Sequence, residues 1–228
     1  MGIFIFAGAS SAIAKASAKY LTSNGHQVIG LSRNNSSQYY SDFHLVQNYN
    51  FHNLPNIEGQ VDGLVYFPGT INLKPFHRLT QDEFQTDFEI NVAGAIATIQ
   101  KYLPNLKLAQ DSAVVLFSSV AAQTGMPFHS SISISKGAIE SLTKSLAAEY
   151  APTIRFNAIA LSLTHTPLAE KFLSTPEKLE ASRQRNPMKK VGTPSEIAEF
   201  VSFLLNNATW MTGEILHIDG GISSTRSI

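Results

Sequence analysis

The sequence predicts an α/β fold in which one parallel sheet carries helices on both faces, and three observations lead there. The opening run IFIFAGASSAIAKASAKYLTSNG reads as a short apolar strand, a turn of small residues and a helix closed by Gly25, which is how a wound βαβ unit begins. Short apolar runs and helical stretches then alternate to the end of the chain, the order expected of strands joined by crossovers rather than hairpins. At 228 residues and 43% hydrophobic composition the chain can bury one such sheet and is short for two, so residues 1–228 are taken as a single domain.

Composition removes several classes of function. Lys plus Arg and Asp plus Glu balance at 17 each, so no net field recruits nucleic acid or an anionic membrane. Cysteine is absent, which excludes disulfides, thiolate metal sites and a thiol nucleophile together, and the 7 histidines are scattered, so no metal is expected. The apolar run Ile3 to Ala7 is far too short to span a bilayer and has no cationic lead. A cytoplasmic protein is the expectation.

Taken in order, Ile3 to Ala7 is the first strand and Gly8 supplies the tight turn after it. The next helix turns its first N–H groups, with the hydroxyls of Ser10 and Ser11, toward any anion at that turn. HQVIGLSR is the second strand. From Arg33 to Asp62 there is room for a third strand around His44 to Tyr49 and little periodic helix, so the sheet is shortened between strands 2 and 4. Tyr39, Tyr40 and Tyr49 are expected to cover apolar surface that a crossover helix would otherwise bury. VDGLVYFPG is the fourth strand with its turn. Thr80 and Glu83 form a capping box that opens a long helix ended by Pro104. VVLFSS is a strand ending in Ser118 and Ser119, followed by a loop and a helix that carries Lys136, and IRFNAIAL is the strand after it. Between 165 and 192, Pro167, Pro176 and Pro187 break the chain into short helices. Thr193, Pro194 and Glu196 supply an N-cap, a first-turn proline and a first-turn acid for the helix SEIAEFVSFLLNN, and GEILHIDGG is the last strand.

The stretch VVLFSSVAAQTGMPFHSSISISKGAIESLTKSLAAEY resembles the core of the short-chain dehydrogenase/reductase family and aligns with it without gaps. That family has a serine after a buried strand and Tyr-x-x-x-Lys on the next helix. Ser119 falls on the serine, Lys136 on the lysine, and the tyrosine position is Ile132. The resemblance runs from Ile3 to about Ser223 and ends in the family's Asp-Gly-Gly at Asp219. It implies a Rossmann-like doubly wound parallel sheet of about seven strands, a nicotinamide cofactor, a small-molecule substrate, a substrate lid near 165–192, and assembly as a homodimer or homotetramer.

It also assigns residues to roles. Asn91 falls on the helix asparagine that holds a water in the family's proton relay, so Ser119, Lys136 and Asn91 are the catalytic candidates. The family's Thr-Gly-x-x-x-Gly-x-Gly turn reads Ala7 to Ala14 here, with Gly8, Ser10, Ser11, Ala12 and Ile13 on the pyrophosphate; two glycines have become alanine, which crowds the close approach and weakens binding. An acid at the end of strand 2 selects NAD by bonding the ribose hydroxyls, but Ser32 and Arg33 stand there, and a guanidinium beside a hydroxyl favours NADP(H) over NAD(H). The Asn-Asn-Ala-Gly turn reads Tyr66, Phe67, Pro68, Gly69, of which the last three wall the adenosine side. Lys136 holds the nicotinamide ribose, while Leu163 and Thr166 match positions that meet the carboxamide. Each assignment has a plainer counterpart: an ordinary strand-to-helix turn, a solvated arginine, a helix asparagine bonded to nearby backbone.

In the family the phenol gives a proton to the carbonyl oxygen as hydride arrives, and the lysine ammonium lowers the phenol's pKa. Positions 132 and 136 share a helix face, so a hydrocarbon sits where the acid should be. A positioned acid is worth ~10²–10⁴ in rate. Two functions follow. The first is a nicotinamide-dependent oxidoreductase on a carbonyl/alcohol pair in which another group handles the proton, with His129 and Tyr66 as candidates and Ser131 and Ser133 expected to cap the helix. The second is a non-catalytic dinucleotide-binding or assembly protein of the same fold.

Overall fold

The protein is described here by a computed structural model covering residues 1–225. Strands β1 (Ile3–Ala7), β2 (Gln27–Ser32), β3 (Asp42–Leu45), β4 (Gly63–Tyr66), β5 (Ser112–Ser119), β6 (Ile154–Leu161) and β7 (Ile215–Ile218) form one parallel sheet in the order β3-β2-β1-β4-β5-β6-β7. The order reverses between β1 and β4, the switch point at which such sheets leave a crevice for a ligand.

Alternation along each strand sends side chains to opposite faces. Ile5, Ala7 and Leu64 pack with Ile99 and Tyr102 of the helix Gly94–Leu106 and Ile139 of the helix Ser130–Tyr150. Phe4, Phe6 and Val65 pack instead with Ala14 and Leu21 of the helix Ala12–Ser23 and Val201 of the helix Pro194–Asn206. Both faces are therefore covered. In chain order the helices are α1 (Ala12–Ser23), α2 (Gln81–Phe88), α3 (Gly94–Leu106), α4 (Ser130–Tyr150), α5 (Glu170–Leu173), α6 (Pro176–Arg185) and α7 (Pro194–Asn206). Both Thr80–Glu83 and Thr193–Glu196 close as capping boxes.

Four local expectations change. Strand β3 starts earlier and ends at Leu45, so Tyr49 lies beyond it on an irregular link. That edge is short as expected: between β2 and β4 the described residues hold β3 and two single 3₁₀ turns. The long helix after Thr80 is interrupted by a π-turn at Glu89–Ala93, and Pro104 sits inside its last stretch rather than ending it. Pro104 has no N–H to give to the carbonyl one turn earlier, so the stretch continues past it with one hydrogen bond fewer. Ser131 does not cap α4, whose N-cap His129 makes no side-chain capping bond; its hydroxyl instead donates inward to Asp87 at 2.6 Å.

Arg155 on β6 locks α7 onto the sheet. Its buried guanidinium donates to the carbonyls of Leu204, Leu205 and Ala208 at 2.8, 3.1 and 3.0 Å and pairs with Asp111 at 2.8 Å. Arg155→Ala takes that donor from the Leu204 and Leu205 carbonyls, while Ala208 keeps the Met211 N–H, and is expected to lower stability by about 2–4 kcal/mol in a urea unfolding curve.

Candidate active site

At the C-terminal ends of β1, β4, β5 and β6 the chain leaves a cavity of about 390 Å³. Strand β5 delivers two serines to it. Ser118 is fixed, donating at 2.7 Å to Glu140 on α4, while the Ser119 hydroxyl accepts from the Ala121 N–H at 3.2 Å and still faces the cavity. Helix α4 places Lys136 and, one turn earlier, Ile132 on the same wall. The alignment that put a hydrocarbon before the lysine therefore describes neighbours in space.

Lys136 is only 7% exposed, and its Nζ donates to the Phe117 carbonyl at 2.9 Å. Burial pulls its pKa down to about 8, against the opposing pull of the Asp87 carboxylate. Asn91 occupies the π-turn, a device that widens a helix locally and re-aims a side chain. Its Nδ2 donates to the Asp87 carbonyl at 2.7 Å and to Thr70 Oγ1 at 2.8 Å, and its buried Oδ1 has no protein partner. A methyl on Gly69 would stand 3.2 Å from that Oδ1 and 3.4 Å from Lys136 Nζ, so glycine here keeps the space between the two groups clear.

Asp87 was not singled out by sequence reasoning. One carboxylate oxygen accepts from Thr70 and the other from Ser131, each at 2.6 Å, so the group is buried with both oxygens bonded. The sign that could have found it is its place one helical turn before Asn91, on the same face. Of the candidates for the missing acid, Tyr66 is excluded: its hydroxyl donates to the Ile90 carbonyl at 2.7 Å, it does not line the cavity, and burial raises its pKa. His129 does line the cavity, with Nδ1 2.7 Å from the Pro127 carbonyl.

The expected cofactor residues divide into two groups. Ser10, Ser11, Ala12, Ile13, Phe67, Gly69, Leu163 and Thr166 line the cavity with Ser119 and Lys136. Gly8, Ser32, Arg33 and Pro68 do not. Gly8 is covered by the Pro68 ring, an atom of which lies 2.7 Å from where a Gly8 Cβ would be; Ser32 is 1% exposed, and Arg33 points to solvent. These four lie outside the cavity lining, with Arg33 exposed just past the end of β2. Among the described residues no three His, Asp or Glu side chains gather as a metal site, and no helix is long and apolar enough to cross a membrane.

Comparison with known proteins gives a consistent picture. A family model described as enoyl-(acyl carrier protein) reductase matches residues 50–223. A tropinone reductase homologue from Arabidopsis thaliana is 35% identical over 168 residues, covering 73% of this chain and 64% of the relative. The 2-(R)-hydroxypropyl-CoM dehydrogenase of Xanthobacter autotrophicus is 32% identical over 171 residues, 73% of this chain and 68% of that protein. The chain thus spans less than two thirds of the tropinone reductase homologue's own length. The ligand-free aldohexose dehydrogenase of Thermoplasma acidophilum superposes with a TM-score of 0.92 at 28% identity, over 100% of this chain and 96% of that one.

Proposed function

The chain belongs to the short-chain dehydrogenase/reductase family, and from that premise we propose that it interconverts a carbonyl and an alcohol with a nicotinamide nucleotide, Lys136 itself moving the proton. Members of the family bind nicotinamide dinucleotides, which supply or accept the hydride. The nicotinamide end suits the residues at the cavity: the serine hydroxyls at the start of α1, the Lys136 ammonium for a ribose, and Leu163 and Thr166 for the carboxamide.

One observation carries the proton assignment. Among the described residues Lys136 is the only buried titratable side chain that lines the cavity, and the residue beside it on the helix face is a hydrocarbon. In reduction its ammonium gives a proton to the carbonyl oxygen and is left as a neutral amine that solvent recharges; in oxidation the amine takes the alcohol proton. Ser119 orients the substrate oxygen by hydrogen bonding. The unpartnered Asn91 Oδ1 lies beside Gly69, outside the cavity lining, and offers an acceptor for a water bridging toward Lys136. Ile71, Leu73, Leu168 and Phe172 give the cavity an apolar wall, so the substrate is a carbonyl compound with an apolar flank, and residues 165–192 act as its lid.

Arg33 is exposed one residue past the end of β2, outside the cavity lining, where it can meet the 2′-phosphate of a seated dinucleotide, so NADP(H) is the preferred cofactor; one such charge-assisted contact sets NADPH roughly tenfold tighter than NADH. Fluorescence titration tests this. No saturable binding of either nucleotide removes the oxidoreductase reading, and tighter binding of NADH removes the role of Arg33. The assembly is a homodimer or homotetramer in the cytoplasm, consistent with the open sheet edge at β7 and the fully exposed Trp210 nearby in sequence.

A further inference from the structure

Tyr49 holds the ground that an adenosine would need. In a doubly wound sheet the nucleotide lies across the ends of the strands at the switch point, with the ribose hydroxyls on the residue that ends β2. Here β2 ends at Ser32, and the Tyr49 hydroxyl donates to the carbonyl of the residue before it, Leu31, at 3.4 Å, the same carbonyl that accepts from the Gly8 N–H at 2.9 Å. Its ring stands edge-on to Tyr66 with centroids 5.7 Å apart, and its Cβ is 3.4 Å from where a methyl on Gly94 would be. The same crevice is closed from the other side by Tyr40, whose hydroxyl donates to the Ala9 carbonyl at 2.6 Å, and from above Gly8 by Pro68. The cavity accordingly reaches Ser10 and Ser11 and stops before Gly8 and Ser32.

From this arrangement we infer that Tyr49 is a cofactor-specificity residue that substitutes for adenosine: the cleft admits a nicotinamide mononucleotide as it stands, and a dinucleotide only when Tyr49 leaves. The inference rests on the nicotinamide reading of the cavity. Displacement is feasible because Tyr49 sits on an irregular link between β3 and the 3₁₀ turn at Phe51–Asn53, is partly exposed, and makes a long bond, whereas Tyr66 is buried and bonded at 2.7 Å. The population that must be displaced lowers the apparent affinity for any ligand carrying adenosine.

Calorimetric titration of wild type and Tyr49→Ala with NADPH, reduced nicotinamide mononucleotide and 2′,5′-ADP separates the possibilities. In wild type the mononucleotide is expected to bind within about threefold of NADPH, because adenosine adds little once it has to expel a side chain. Tyr49→Ala is expected to tighten NADPH and 2′,5′-ADP by about tenfold or more and to leave the mononucleotide unchanged. If wild type already binds NADPH about 100-fold tighter than the mononucleotide, or if folded Tyr49→Ala binds NADPH no better, Tyr49 is not a stand-in and the inference fails while the nicotinamide reading stands. If neither nicotinamide ligand binds either protein, both fall. The wild-type comparison decides the matter even if Tyr49→Ala does not fold.

Discussion

Ile132→Tyr is expected to raise kcat/KM for carbonyl reduction by about 10²-fold, the low end of what a positioned acid contributes. Ile132 is 5% exposed, yet it faces the cavity rather than the packed core, so a larger ring meets open space. The new phenol would stand one turn before Lys136, where an ammonium favours the phenolate and brings the hydroxyl's pKa toward neutrality. Ser119 is already in position to share the substrate oxygen. The low end is chosen because, on the proposed mechanism, Lys136 supplies part of that proton transfer in the natural protein. Ile132→Phe has nearly the same bulk and no hydroxyl, so it should show no gain. A panel of carbonyl substrates is the measurement. If Ile132→Tyr instead loses an activity that the natural protein has, isoleucine is a working wall of the pocket and the missing phenol is no defect.

The sheet was legible because it depends on local patterns that tertiary packing reinforces. Apolar strands of the right length, glycine at Gly25 with φ near 80° and two capping boxes all place their elements within a residue or two. The meeting of Ser119, Ile132 and Lys136 was legible for the same reason, since four-residue spacing on one helix fixes a shared face. What the sequence did not disclose depends on partners far along the chain. Ser131 looked like a cap because serine before a helix usually is one; its partner is Asp87, 44 residues away. Tyr49 was read as cover for apolar surface, and it does pack against the core, but that its hydroxyl ends on the Leu31 carbonyl depends on how a shortened crossover folds back over β2. Gly8, Ser32 and Pro68 lie outside the cavity lining because Gly8 and Pro68 pack on each other and Ser32 is buried, contacts that no spacing rule names.

Lys136→Met is expected to cut kcat/KM by about 10²–10³-fold while leaving the fold intact. Methionine keeps most of the buried stem, so packing survives, although the Phe117 carbonyl loses its donor. The pH profile distinguishes proton transfer from a purely positioning role. With its pKa near 8, Lys136 is mostly ammonium below that pH, so reduction should be flat there and fall about tenfold per unit above it, while alcohol oxidation should rise toward a plateau in the same region. Stability carries the same signature. The pKa of Lys136 is lowered by folding from 10.5 to about 8, so between those values the unfolded chain binds the extra proton and stability must rise with pH. Lys136→Met should flatten that rise in melting curves taken from pH 8 to 10. If turnover survives the substitution with its pH profile unchanged, the proton comes from another group and the lysine only positions the ligand. If turnover vanishes and the alkaline rise in stability goes with it, one buried amine accounts for both.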